Sequence, residues 1–407
     1  MKRFISILLF CLILKVNSHG LNVVFSWKQI SYNVDGVLYT KNSDYDRTVS
    51  DNVHFADELP EAEKFFIQYN NVPIGFEVYG DTVFVTVPRR RHGIPSTLNH
   101  VKLSDSNPIL RPYPNVASRT LVSVYRPRVD ECGRLWMVDT GLLEVPGERK
   151  QIQPPAIVIY DLNSKTQILR YQLKPTDLVD ERTPGGLTSI TVDVGASCED
   201  TYAYITDLAT NGLIVFSLKE RASWRIQDDS FKLDEGAMNF TVAGHVINWR
   251  DGLFSIALSN RDATNSRSAF FHPLVSTQEF SIDTAVLKSS RQGNINSQVR
   301  LLGTRGPLTQ SGSHDYHNGV LFFANVAQDG VLCWNTRKPL TPENVVLVAQ
   351  DHEKLVYISD LKVKGDEVWV LVNQIPRFVY STLDPRENNF YILRGRVQDL
   401  IKNTKCA

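Results

Sequence analysis

Several short apolar segments of the sequence carry titratable or hydroxyl side chains at matching points. Ser189 lies in "GLTSITVDV", His245 in "AGHVINW", His314 in "SGSHDYHNG" and Asp360 in "ISDLKVKGD". Tyr125 stands in a fifth such segment, "LVSVYRPRVD". Brought together, a carboxylate, imidazoles, a hydroxyl and a phenol could bind a small aromatic molecule: the acid would meet an ammonium group and the aromatic groups its ring. An imidazole titrates near neutrality, and His314 is the candidate proton-transfer residue. A second polar set, Asp139, Asp207, Asn260, Asn325 and Asn373, closes a series of apolar runs. Acids and amides in such places bond their own backbone in turns. The set therefore reads as turn-formers, with a shared ligand entrance as the alternative. The run Arg89–Arg91 has no glycine-rich loop beside it and reads as a loop stabiliser or solvated run rather than a phosphate grip. GxSxG, HExxH, GxGxxG and the EF-hand loop are absent. So are CxxC and HxxxH spacings, and neither a metal nor another cofactor is expected.

The elements that must position these residues are hairpins. "HNGVLFFANVAQDGVLCWN" (317–335) holds two apolar strands around a polar turn. "GDTVFVTVPRRRHGIPSTLNHVKL" (80–103), "GRLWMVDTG" (133–141), "DTYAYITDLATNGLIVFSL" (200–218), "RDGLFSIALSNRDATNSRSAFFHPL" (250–274) and "GDEVWVLVNQIPRFVYSTL" (365–383) share the pattern. First strands recur near residues 82, 134, 201, 252, 319 and 366. Recurrence of one supersecondary unit marks a repeat architecture, and six antiparallel hairpin units make a six-bladed all-β propeller. The segments preceding each hairpin, which hold Tyr125, Ser189, His245, His314 and Asp360, are the expected inner strands. Pairing of 23–32 with 388–397 would close the ring and leave no free edge. The loops 104–120, 144–155 and 174–186 belong on the propeller faces, and 33–60 is expected to wrap the outside.

Residues 1–18 carry Lys2 and Arg3 before an apolar run too short to span a bilayer. They read as a signal peptide cut after about Ser18, leaving 19–407 as a single propeller domain that is secreted and extracellular. That cut removes Cys11 and leaves Cys132, Cys198, Cys333 and Cys406. Four cysteines allow three pairings. Cys132 and Cys198 both precede the first strand of neighbouring repeats and Cys406 lies near the terminus, which favours Cys132–Cys198 and Cys333–Cys406. "NFT" at Asn239 is a glycosylation sequon. Lys plus Arg number 44, as do Asp plus Glu, so charge gives no case for nucleic acid or an anionic membrane as partner. Oligomeric state is left open.

"LWMVDTG", "SCED", "YAYITD", "VLCWNT", "VPRRRHGIPSTLN" and "VNQIPRFVYSTLDPRENNFYILRGRV" resemble, in order, segments of the insect Yellow and major royal jelly protein family. The four-cysteine pattern is also similar to that family's and supports the pairing above. The chain lacks an Asn-rich tail and resembles the Yellow-type branch. The resemblance implies a secreted insect protein of melanin and cuticle pigmentation that could act in dopachrome conversion by tautomerising its substrate. The alternative is a non-enzymatic binder of biogenic amines or a structural extracellular protein. A calcium-dependent lactonase is a third reading, since other six-bladed propellers hold a metal in the channel. The family supplies no agreed catalytic residues to carry over.

Overall fold

The computed structural model describes residues 20–41, 65–115, 120–144, 149–295 and 297–407. The expected signal peptide lies outside them, as does most of the stretch expected to wrap the outside. The start of that stretch belongs to a small hairpin of Tyr32–Val34 and Val37–Tyr39.

Six four-stranded antiparallel sheets form the blades of a closed propeller. Their inner strands are Gly75–Tyr79 (blade 1), Arg128–Val129 (blade 2), Leu187–Val194 (blade 3), Leu253–Leu258 (blade 4), Ser311–His317 (blade 5) and Ile358–Lys364 (blade 6). Second strands are sandwiched between neighbouring blades, and a strand covered on both faces reads as a continuous apolar run rather than an alternating one. Val320–Asn325 and Arg134–Asp139 are buried at every residue for this reason. The outermost strand of blade 2, Thr166–Gln172, is mostly exposed. Blade 6 takes its outermost strand, Asn22–Trp27, from the other end of the chain, in register from Asn22 opposite Arg394 to Trp27 opposite Phe390. The disulfide Cys132–Cys198 ties blade 2 to blade 3, and Cys333–Cys406 ties the C-terminus to blade 5.

One repeat departs from the expected alignment. "AGHVINW" is not the inner strand of blade 4. Ala243 and Gly244, with φ of 51° and 83°, form the two-residue turn of a separate ribbon, Phe240–Val242 with His245–Ile247. Two successive positive φ values suit the tight turn of a short hairpin. The inner strand of blade 4 is the next segment, Leu253–Leu258, and Ser268–Pro273 is its second strand. His245 is thereby removed from the axis. Asn260, which follows an inner strand rather than a second strand, leaves the strand-end set. It is exposed and donates to Asn318 Oδ1 at 3.1 Å.

Small residues do begin several inner strands, and at Gly75 the reason is direct. A Cβ there would stand 2.3 Å from the Tyr125 carbonyl oxygen and 2.8 Å from Arg126 Cα. Blades 1 and 2 approach backbone to backbone at this point, which only glycine permits. Gly75→Ala is expected to lower stability by about 1–3 kcal/mol through overpacking. Urea melts of the two proteins test this, and an unchanged midpoint would refute the close approach.

Candidate functional site

A cavity of about 210 Å³ opens where the inner strands begin, at one mouth of the axial channel. Its lining includes Thr188, Phe254 and Ser359 from blades 3, 4 and 6. Each of these is the extra residue of a β-bulge. In blade 3 Leu187 pairs with Asp207 and Ser189 with Thr206, so Thr188 is left over. Phe254 is skipped in the same way between Leu253 and Ser255, and Ser359 between Ile358 and Asp360. A bulge re-aims one side chain and shifts the alternation of the rest. Here it sends the skipped residue into the mouth. In blade 2 the equivalent opening comes from Pro127, which has no N–H to give to a ladder. Tyr125 and Arg126, just before it, line the mouth.

Asp251 is the carboxyl group at the centre of the site. It follows Trp249 on the approach to blade 4, is half-buried, and its side chain hydrogen-bonds to no described residue. Burial pushes its pKa from 3.8 up to about 6, against the pull of Arg90 and Arg126. Arg126 donates Nε to Ser359 O at 2.8 Å and Nη1 to Thr188 O at 3.3 Å, and its Cζ stands 4.5 Å above the Phe254 ring. Burial lowers the Arg126 pKa, with Asp360 the main opposing charge. Partial loss of hydration alone would lower Arg90 as well, but Tyr125 and Glu144 more than offset this and raise it. Tyr125 donates its hydroxyl to Glu144 Oε2. The Tyr125 phenol is raised well above its ordinary range by burial and then by Glu144. Tyr357, also raised by burial, meets Trp249 edge to face at 5.6 Å. The mouth therefore offers one unpaired carboxyl titrating near pH 6, two guanidiniums, two protonated phenols and aromatic walls. Such a set can take a proton from carbon and stabilise the negative charge that appears elsewhere on a conjugated ligand.

Of the residues singled out from sequence as ligand candidates, the structure brings only Tyr125 to this mouth. Ser189 and Asp360 are each one residue beyond the bulge. The Asp360 carboxylate is fully buried, accepts from Phe76 N at 3.1 Å and Ser313 Oγ at 3.0 Å, and pairs with Lys362 at 3.1 Å. His245 stacks on Tyr380 at 5.9 Å on the outlying ribbon. His314 is buried between blades 4 and 5, with Nε2 3.3 Å from Glu279 Oε1. Glu279 Oε2 stands 2.8 Å from His272 Nδ1 and accepts from Arg305 Nη1 at 2.6 Å. His272, Glu279 and His314 place ligand-capable atoms within 4.8 Å of one another, the one such trio among the described residues. Because Arg305 already balances the carboxylate there, the trio reads as a buried ion-pair network. His314 is thus not positioned as a base for the mouth.

The strand-end set, without Asn260, forms turns. Asp139 accepts from Val122 N at 3.1 Å, Ser123 N at 2.9 Å and Gly141 N at 3.2 Å, and pairs with Arg170 at 3.0 Å. Asp207 accepts from Ala209 N and Thr210 N and pairs with Arg225 at 2.9 Å. Asn325 accepts from Gln328 N at 2.6 Å, and Asn373 from Ile375 N at 3.1 Å. These turns hold Leu208 and Ile375, which line the mouth. Asp251, Arg126, Glu144, Trp249, Phe254 and Tyr357 were not singled out from sequence, and Arg90 entered only within the run Arg89–Arg91, read there as a loop stabiliser or solvated run. The signal available for Asp251 was its place in "NWRDG", an acid beside a tryptophan just ahead of an inner strand.

Comparison with known proteins gives a consistent family. The family model described as "Major royal jelly protein" matches residues 122–406. "L-dopachrome tautomerase yellow-f" of Drosophila melanogaster is 39% identical over 419 residues, covering 98% of this chain and 96% of that protein. "Dopaminechrome tautomerase" of the same organism is 34% identical, covering 84% of this chain and 78% of that protein. "Protein yellow" of Drosophila melanogaster is 34% identical over 84% of this chain and 65% of its own length.

The raised Asp251 pKa fixes a sign for stability. An acid whose pKa is higher folded than unfolded destabilises the fold when ionised; this penalty is absent below about pH 4 and complete above about pH 6. Asp251→Asn is expected to raise Tm at pH 7.5 and to leave it unchanged at pH 4. Paired thermal melts at the two pH values check this, and equal melting at pH 7.5 would contradict it.

Proposed function

This chain belongs to the major royal jelly protein family, and we propose that its channel mouth isomerises aminochromes, the cyclised quinones formed from catecholamines. The observation that carries this reading is Asp251, an unpaired carboxyl titrating near pH 6 beside two guanidiniums in an aromatic-walled cavity. Aminochrome tautomerisation removes protons from the saturated carbons of the five-membered ring and delivers protons to the two quinone oxygens. The atoms balance within the substrate, so no oxidant is required. Asp251 takes the carbon-bound proton. Arg126, with Nη2 bonded to no described residue, stabilises the charge that reaches a quinone oxygen. Phe254, Trp249 and Tyr357 flank the flat ring system. The curated relatives with tautomerase names support this substrate class. The alternative of a simple amine binder is less well supported, because two guanidiniums flank the one unpaired carboxyl and oppose an ammonium group.

Pigmentation of melanin and cuticle is the setting this reading implies. Residues 1–18 act in it as a signal peptide, and the protein works outside the cell. Asn239 and Thr241 both stand exposed, leaving the sequon open to glycosylation.

Dopachrome decay followed with purified protein against a heat-killed control tests the activity. Asp251→Asn is expected to lower kcat by about 10²–10⁴-fold, the range of a positioned general base. For the unmodified protein kcat/KM is expected to rise as pH increases through about 6, as Asp251 loses its proton, and then to level. A flat profile from pH 5 to 7.5, or full activity in the variant, would exclude Asp251 as the base.

A further inference from the structure

We infer that Arg90 reads a carboxylate on the ligand, so that the mouth selects aminochromes bearing that group over neutral ones; this rests on the mouth being an aminochrome site. Three consecutive arginines leave the second strand of blade 1, and the structure gives them three separate tasks. Arg89 is spent on the backbone: its guanidinium donates to Ile94 O at 3.1 Å, Pro95 O at 3.1 Å, Leu121 O at 2.9 Å and Val122 O at 2.6 Å. Arg91 stands 5.4 Å above the Phe378 ring, outside the mouth. Arg90 lines the mouth, and its guanidinium hydrogen-bonds to no described residue. Its closest described carboxylate oxygen is Glu144 Oε2, 4.0 Å from Nε.

That distance is at the outer limit of an ion pair, and Glu144 Oε2 already accepts from the Tyr125 hydroxyl. Arg126 is held by two backbone carbonyls. Arg126 keeps only Nη2 to give, whereas Arg90 has spent none of its guanidinium donors on described residues and can offer a paired set. A guanidinium offers paired N–H groups that match the two oxygens of a carboxylate, and such charge-assisted bonds are the strong ones. The side chain is 42% exposed, so a ligand can reach it without displacing protein. Its charge also lies near Asp251, so a carboxylate held by Arg90 sits close to the base that would take the neighbouring carbon-bound proton. L-Dopachrome carries a carboxylate on that ring carbon, and dopaminechrome does not.

Two variants, Arg90→Gln and Arg90→Lys, separate this role from a structural one. Calorimetry would use indole-2-carboxylate and indole as unreactive probes, and kinetics would use L-dopachrome and dopaminechrome. In Arg90→Gln the preference for indole-2-carboxylate over indole is expected to fall about 10- to 100-fold, and the kcat/KM ratio of L-dopachrome to dopaminechrome to fall with it. Arg90→Lys is expected to restore part of both. Melting temperatures of the variants show whether the fold is kept. The inference is overturned if the variant weakens both probes equally, if it changes neither, or if the unmodified protein shows no preference for indole-2-carboxylate. If an Arg90-dependent preference is found but neither aminochrome is converted, the carboxylate site stands and the proposed reaction falls. Conversion of both with an unchanged ratio in Arg90→Gln does the reverse.

Discussion

Six inner strands converge on one axis but point apart, so no ladder can run from one blade to the next. Backbone groups facing those seams still need partners, since a buried unpaired N–H or C=O is destabilising. Side chains bridge almost every seam. Val129 N of blade 2 donates to Glu77 Oε2 of blade 1 at 2.8 Å, Val363 N of blade 6 to Asp315 Oδ2 of blade 5 at 2.9 Å, and Phe76 N of blade 1 to Asp360 Oδ2 of blade 6 at 3.1 Å. Thr191 Oγ1 of blade 3 donates to Ile256 O of blade 4 at 2.7 Å, and His314 N of blade 5 to Ser255 Oγ of blade 4 at 3.2 Å. Between blades 2 and 3 backbone also meets backbone, Arg126 N to Thr188 O at 3.3 Å.

Three of those bridges are buried carboxylates, and each needs a cation. Lys364 lies 2.8 Å from Glu77, Arg128 2.9 Å from Asp315 and Lys362 3.1 Å from Asp360. Burial would raise Glu77 and Asp315, but the neighbouring cations more than offset it and hold both below their ordinary values. The axis beneath the mouth is thus filled with paired charges, and the open cavity lies at the end where the bulges turn Thr188, Phe254 and Ser359 inward. Asp251 differs from Glu77 and Asp315: no described donor reaches its side chain, and its pKa moves up instead of down.

The architecture was legible because it depends on hydrophobic pattern. Second strands such as "VLFFAN" must be apolar throughout to fit between two blades, and that signal repeats. Blade 4 was misaligned because "FTVAGHVI" carries its own strand-turn-strand signal. The site was less legible, for a geometric reason. Strict alternation selects Ser189 and Asp360, whereas one extra residue in each strand puts Thr188 and Ser359 in the lining of the mouth, and nothing in the local composition marks a bulge. Polar residues on inner strands also have a seam to bridge, so Asp360 and His314 resemble ligand groups while lying outside the mouth's lining. Asp251 and Glu144 come from connecting segments, where no periodicity exists to say which way a side chain points.

Closure of blade 6 has a bearing on the order in which the chain can assemble. Asn22–Trp27 has its place beside Phe390–Arg396, which a ribosome supplies more than 360 residues later. A segment made early is therefore seated late. Until then Phe25 and Trp27, both buried in the finished ring, have no blade to cover them, and blade 6 keeps an open edge of the kind that pairs with other chains. Cys406 follows ten residues after the strand Phe390–Arg396, and its bond to Cys333 is likewise a late one. Translation of this protein delivers five nearly finished blades and one unsealed joint, and the stretch from Phe390 to Cys406 provides both the strand and the thiol that seal it.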